Sequence, residues 1–505
     1  MMTASVLRRT APLLFSAALA TPTVAFADLT PEDVWAQWQT VGTSIGQDIS
    51  AASEERAGDT LTLTGVRIDM DLPDGTLRSG LDTVALTATG DGRVRMTFPP
   101  AYEVTMEMAP AEGPATTTTM RFEFDSVDAV ASGTPEDMRY DFDAAALRMT
   151  LPQMIADGEA VPMEMSMALT GLDMTYAVSG GEQGRFTSSG TADSMTFDID
   201  GQDPEDPGET FRVTGRYDDV FTTSEGSIAG LAMSADPQAL FSGNLDVSGG
   251  YRHGGGTFTV AGDGPDGRFD FSSVSGGGSL SFAAGPAGLT YAGESTNVAV
   301  EVSADDMPVP SVQAEMSEAG FGLTMPVQQS EEAQPFDLRV SLDGLTVSEG
   351  VWALVDPSGL LPRDPATLRL DLGGMARITA DLSDPATMDA PVPPAELDSL
   401  SLDDLTLSIA GAALTGSGSF TFDHGSFGMF GPMGTPTGGI DLTLAGGPAL
   451  IDRLVQIGVV PEDQAAMARM MLGMFARPGE APDTLESRIE IGPDGSITAN
   501  GQPLQ

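Results

Sequence analysis

Met163-Glu-Met165-Ser-Met167-Ala-Leu169-Thr170 alternates large apolar side chains with polar or small ones for eight residues. A period of two is that of a β-strand, whose successive side chains point to opposite faces. One face of this segment is therefore apolar and the other wet, as in an antiparallel sheet covered on one side only. The pattern recurs along the chain in Tyr102/Val104/Met106/Met108, Met120/Phe122/Phe124, Met195/Phe197/Ile199, Val298/Val300/Val302 and Phe321/Leu323/Met325/Val327. It returns in Phe336/Leu338/Val340/Leu342, Leu368/Leu370/Leu372, Leu405/Leu407/Ile409 and Ile440/Leu442/Leu444. Gly, Pro, Asn and Asp clusters separate these runs at hairpin distances. The spacing predicts a mainly β protein: a large curled antiparallel sheet, a groove or half-barrel, built as a meander. Leu61 and Leu63 lie on one parity, whereas Val66, Ile68 and Met70 lie on the other, so a bulge is expected at Gly65. The glycine-rich stretches 248–256 and 276–279 mark places where strands bend.

Helical spacing is clearest near the two ends, with a short apolar helix also read at Val351, Trp352 and Val355. Thr30-Pro31-Glu32-Asp33 is a helix start, with Thr as N-cap, Pro in the first turn and acids beside the positive end of the dipole. Val34, Trp35, Trp38, Val41 and Ile45 follow on one face, predicting an amphipathic helix from about Pro31 to Ala52. Near the C-terminus, Leu450, Ile451, Leu454 and Val455 mark one helix. Met467, Met470, Met471, Met474 and Phe475 mark a second, expected to face inward, and a hairpin spans Leu485 to Ala499. Gly359-Leu-Leu-Pro362-Arg-Asp364-Pro-Ala366 is echoed by Gly458-Val-Val-Pro461-Glu-Asp463-Gln-Ala465, which predicts a strand–helix–turn–strand unit used twice. A soft boundary is expected near residue 240, giving regions 28–240 and 241–505 that can form one continuous domain.

Residues 1–27 read as a secretory signal peptide: Arg8 and Arg9, an apolar run from Ala11 to Ala20, and Ala25-Phe26-Ala27 before the cleavage point. The run is shorter than the roughly 20 residues a spanning helix needs, so no transmembrane segment is expected after cleavage. Loss of the signal leaves 21 basic against 73 acidic residues, a net charge of −52, and every basic side chain is Arg. Such a field repels phosphates, which excludes nucleic acid as a partner. With no cysteine, disulfides, thiolate metal sites and cysteine nucleophiles are excluded too.

Chemistry-bearing patterns are weak. His253 and His424 lack a second histidine at ligand spacing and read as surface-loop residues. Gly42-Thr-Ser44-Ile-Gly46 spells G-x-S-x-G, but in a helical context rather than after a strand. The acidic stretch Asp198 to Glu209 has calcium-like spacing, with Asp where the turn glycine belongs and Pro204 at the backbone-ligand position, so weak calcium binding is the most it offers. No catalytic, cofactor-binding or metal site is assigned, no cofactor is expected, and an enzyme is the least supported reading. The methionine stripes are ordinary core or, alternatively, a pliant lining for a chain-like ligand.

Val351-Trp-Ala-Leu-Val-Asp356-Pro-Ser-Gly-Leu-Leu-Pro362-Arg-Asp-Pro-Ala-Thr367, the segment Pro461 to Gly479 and Gly276-Gly-Gly-Ser-Leu280 resemble an exported uncharacterised alphaproteobacterial family, domain-of-unknown-function family 2125. The resemblance is specific from about residue 241 to 505 and carries over no catalytic residue. The architecture also looks like that of AsmA-type envelope proteins, whose apolar β-grooves are associated with lipid movement, although this chain has no N-terminal membrane helix. The expectation is a periplasmic, non-catalytic protein binding a lipid or other apolar ligand for envelope maintenance, with lipid or envelope proteins as partners. A structural protein with a closed β core is the alternative, and an outer-membrane barrel is a third reading.

Overall fold

The computed structural model describes residues 28–110, 113–180, 184–202, 208–233, 240–241, 245–265, 267–384, 387, 393–424 and 434–504. The signal-peptide reading of residues 1–27 lies outside them. Strands dominate, and each long strand pairs antiparallel with its chain neighbours, so the meander expected from the hairpin spacing is what forms. Pairing continues past residue 240, where Thr222 faces Tyr251. Among the described residues no pairing joins the first strand, Gln47–Ala57, to the last ones, so the sheet is open rather than a closed barrel.

The register assigns the two faces. Phe282, Tyr291, Leu323, Leu338, Leu372 and Leu402 are successive cross-strand partners. The same ladder runs back from Phe282 through Gly249, Ser224, Ser188 and Tyr176 to Tyr140. One face thus persists across the sheet, apolar except where Gly249, Ser224 and Ser188 cross it. One residue over, the other face carries polar groups such as Asp141, Thr175, Arg339 and Asp371, with Arg339 reaching Asp337 at 3.1 Å and Asp371 at 3.3 Å.

A crease crosses the strands at one level. Gly65, Gly171, Asp219, Asn297 and Gly344 each drop out of the ladder with positive φ, between 49° and 68°. At Gly65 one residue steps out on each strand, so the parity switches while the register holds, in place of the bulge expected there, and Leu63 and Val66 are both buried on the same face. On the same line Gly254 and Gly276 interrupt strands, as the glycine-rich stretches suggested. The sheet folds toward its apolar side here. Tyr251 pairs with Thr222, five residues from Tyr217 on the neighbouring strand, which is roughly 17 Å along a straight strand. Yet the two rings stand 6.4 Å apart. Phe142 and Phe124 repeat the geometry at 5.6 Å. The result is a trough with an apolar interior.

Among the described residues five helices decorate it. Helix α1, Pro31–Ser44, begins with a reciprocal cap: the Asp33 amide donates to Thr30 Oγ1 at 3.2 Å and the Thr30 amide to Asp33 Oδ2 at 2.9 Å. It ends eight residues earlier than the periodicity suggested, because Gly46 turns the chain at φ 80° into the strand Gln47–Ala57. Ile49 and Ala51 then pack on the core from that strand instead. Helix α2 is Ile228–Met233 and α3 is Glu349–Val355; α4, Gly447–Gln456, and α5, Glu462–Phe475, form the C-terminal pair ahead of the hairpin Thr484–Ile491/Ile497–Ala499. The repeated unit is present: α3 joins the paired strands Gln334–Val347 and Ala366–Ile378, and α4 follows Thr435–Ala445, with α5 inserted before Thr484–Ile491. The two units meet where Pro362 and Arg453 approach Gly411.

Candidate functional site

Helix α1 fills one end of the trough. Leu29, Val34 and Trp35 pack against Leu61, Leu63, Val66, Val84, Leu86, Val94 and Met96, all nearly or wholly buried. Val41 and Ile45 continue the contact onto Val178, Phe186, Ile228 and Val247. Polar tips are satisfied at the rim: Trp35 Nε1 donates to Glu54 at 2.9 Å, and the Tyr140 hydroxyl donates to Gln37. Burial raises the Tyr140 phenol well above its ordinary pKa. Trp38 stacks on Phe98 at 6.0 Å. Beside it an apolar pocket of about 240 Å³ remains, lined by Ile68, Leu81, Phe98, Tyr102, Phe124 and Phe142.

Beyond the helix the same face lies open. Leu280, Phe282, Tyr291, Phe321, Leu323 and Leu338 are 36–45% exposed, against 0% for Leu63 and Leu86 under the helix. The interior is therefore sealed at one end and open along the rest. The aromatic rings there lie flat over glycines of the adjoining strand. Phe197 pairs with Gly215 and Tyr217 with Gly256, and a Cβ at either glycine would stand 2.2 Å or 2.4 Å from the ring. Phe321 over Gly293 and Phe336 over Gly374 repeat the device. Glycine is required for close approach rather than for an unusual φ, and the rings cover its exposed backbone.

The polar candidates fall elsewhere. Asp198, Asp200 and Gln202 belong to the strand Arg185–Gln202, and Asp198 pairs with Arg212 at 2.5 Å on the outer face. Positions 203–207 of that acidic stretch lie outside the described residues, and no group of three or more His, Asp or Glu converges among those described. Ser44 is the last residue of α1 and donates to Thr40 O at 2.9 Å, so it has no nucleophile elbow. Of the two histidines, His424 lies in a loop as expected and His253 does not. His424 is half-buried with Nε2 3.0 Å from Leu397 O. His253 ends the strand Val247–His253 on the apolar face at the crease, its ring 4.7 Å from Tyr217 and 5.7 Å from Tyr251. The sequence missed this cluster because only the parity switch at Asp219 brings Tyr217 to the same side.

Two local arrangements sit at the far end. Asp356 is 1% exposed at the C-terminus of α3. Burial disfavours its charge, but hydrogen bonds from the Leu361 and Leu360 amides and Ser358, with Arg363 alongside, hold its carboxyl below the ordinary value. Arg363 also lies over the Trp352 ring at 4.3 Å. The stripe on α5 faces out, contrary to its inward reading: Met467, Met470, Met471 and Met474 are 51–62% exposed, because the helix packs through the small Ala465 instead.

Fold and site define an open, creased β-trough with a helix-filled end. Residues 255–503 match the family model described as an uncharacterized protein conserved in bacteria (DUF2125). No curated protein matches the chain. Among solved structures, BauA, the ferric preacinetobactin receptor from Acinetobacter baumannii, aligns at 9% identity over 88% of this chain and 76% of its own, with a TM-score of 0.15 that carries no argument. No helix among the described residues is long and apolar enough to cross a membrane.

Proposed function

We propose that this chain is an exported, non-catalytic envelope protein of the periplasm that holds the acyl part of a lipid in the open stretch of its trough. One observation carries the reading: large apolar side chains line a continuous concave face and remain two-fifths exposed, with Phe282, Tyr291 and Phe321 among them. Contiguous exposed apolar surface on that scale marks a binding site more often than idle surface. From the strand Met163–Ser179 to Thr484–Ile491 the ladder crosses thirteen strands. At about 4.8 Å per strand the interior runs on the order of 60 Å, ample for an extended acyl chain. Methionines such as Met165, Met167 and Met195 supply a lining that repacks at little cost.

The test is extraction and mass spectrometry of lipid from the purified protein, together with uptake of the dye N-phenyl-1-naphthylamine. Bound acyl lipid and saturable dye uptake, lost on Phe282→Asp with Leu323→Asp, support the reading. Repeated absence of both from folded protein overturns it.

A further inference from the structure

The trough interior is largely apolar, with Ser188 and Ser224 among its few hydroxyls, and at its crease three polar-tipped ring side chains pack together. His253 packs against Tyr217 and Tyr251, from neighbouring strands. His253 Nδ1 and the Tyr251 hydroxyl are buried and have no hydrogen-bond partner. An unpaired buried polar group costs about 1–3 kcal/mol, and two such groups side by side is an expensive arrangement for a protein that needed only a greasy surface. Phe at both positions would keep the packing without that cost.

Resting on the acyl-binding reading above, we infer that His253, Tyr251 and Tyr217 form a polar anchor in mid-trough that hydrogen-bonds an uncharged oxygen of the bound lipid, a glycerol hydroxyl or ester carbonyl. An imidazole and a phenol each both donate and accept when neutral, which suits a hydroxyl or an ester. A carboxylate or phosphate would find no arginine beside them among the described residues. Arg212, Arg216 and Arg252 on these strands alternate onto the outer face, and Arg252 lies there over Phe221 at 4.3 Å. Burial pushes the Tyr251 phenol up to about 12, so it stays a protonated donor at neutral pH. Both atoms are closed off from solvent, so a ligand lying along the crease would be met by turning the imidazole edge and the hydroxyl out of their packing.

Histidine NMR reads this directly, because the chain has two histidines. With the full protein labelled at histidine nitrogen, monoolein should shift the His253 signals and leave those of His424, which is occupied by Leu397 O. The double variant His253→Phe, Tyr251→Phe should bind monoolein about tenfold more weakly, the loss of roughly one net hydrogen bond, while its affinity for N-phenyl-1-naphthylamine stays unchanged. If monoolein binds but the His253 signals do not move, or the double variant binds it as tightly as the parent, the anchor is overturned and the trough reading survives. A parent protein that takes up neither probe overturns both.

Discussion

The two ends of one trough are made of the same strands and the same alternation, yet one is filled and the other bare. Under α1, Leu63, Val84, Leu86 and Val94 are 0% exposed; farther along, Phe282, Tyr291 and Phe321 exceed 40%. The difference comes from a helix of 14 residues, whose Val34 and Trp35 supply the missing partner surface. Alternation therefore specifies an apolar face but not what covers it. Where the chain carries its own cover the face is a core, and where it does not the face is free for another molecule.

That contrast predicts unequal mutational costs. Trp35→Ala removes a buried ring from the filled end and should cost about 3–5 kcal/mol, whereas Phe282→Ala in the open stretch should cost under about 1 kcal/mol. Urea unfolding followed by circular dichroism compares them, and equal costs would mean that the open stretch is covered in solution. The glycine tiling should respond next. Gly215→Val places carbon where Phe197 lies, 2.2 Å from its Cζ, and displacing the ring should cost about 1–3 kcal/mol. Adding Phe197→Ala should recover part of that loss, a coupling a double-mutant cycle would detect; strict additivity would show that the ring does not need the glycine.

The sheet was legible because its period is local. Each hydrophobic run needs only its own eight or ten residues to declare a strand, and Gly65 betrayed the parity switch because leucines flank it on one side and Val66 on the other. The crease as a whole was not legible. Asp219 and Asn297 adopt φ near 50° without being glycine, and only the stacking of those positions at one level makes a fold line. The polar cluster followed the same fate: His253 and Tyr217 are 36 positions apart with a parity switch between them, so no spacing rule joins them. The stripe on α5 misled for a different reason, since helical periodicity identifies an apolar face but Ala465 decided which face packs.

Beside the open region the turn after α3 is held by the Asp356 carboxylate, which accepts from the Leu360 and Leu361 amides, and this predicts a pH signature. Asp356→Asn would keep one acceptor but aim an amide donor at the second backbone N–H, lowering Tm at pH 7 by several degrees. The folded carboxyl lies below its ordinary value, so its contribution is present above about pH 4 and lost as pH falls through the folded pKa. The gap between parent and variant should therefore narrow in acid; a constant gap would show that the charge of Asp356 is not what holds the turn.

The smallest effect expected is on the outer face, which backs the filled end. Asp143 sits between Asp128 and Asp173 as their cross-strand partner, and burial, then the Asp173 charge, raises its pKa. A raised carboxyl penalises folding at pH values above its folded pKa, because the unfolded chain gives up the proton more readily; the penalty fades as pH falls toward the ordinary value. Asp143→Asn should thus stabilise by a few tenths of a kcal/mol at neutral pH and low salt. Most of that gain should vanish at 1 M salt, where the screening length is about 3 Å. A gain that persists in salt would assign the strain to burial, the first of the two causes, and would mean that the outer face behind α1 is packed more closely than the open stretch it continues into.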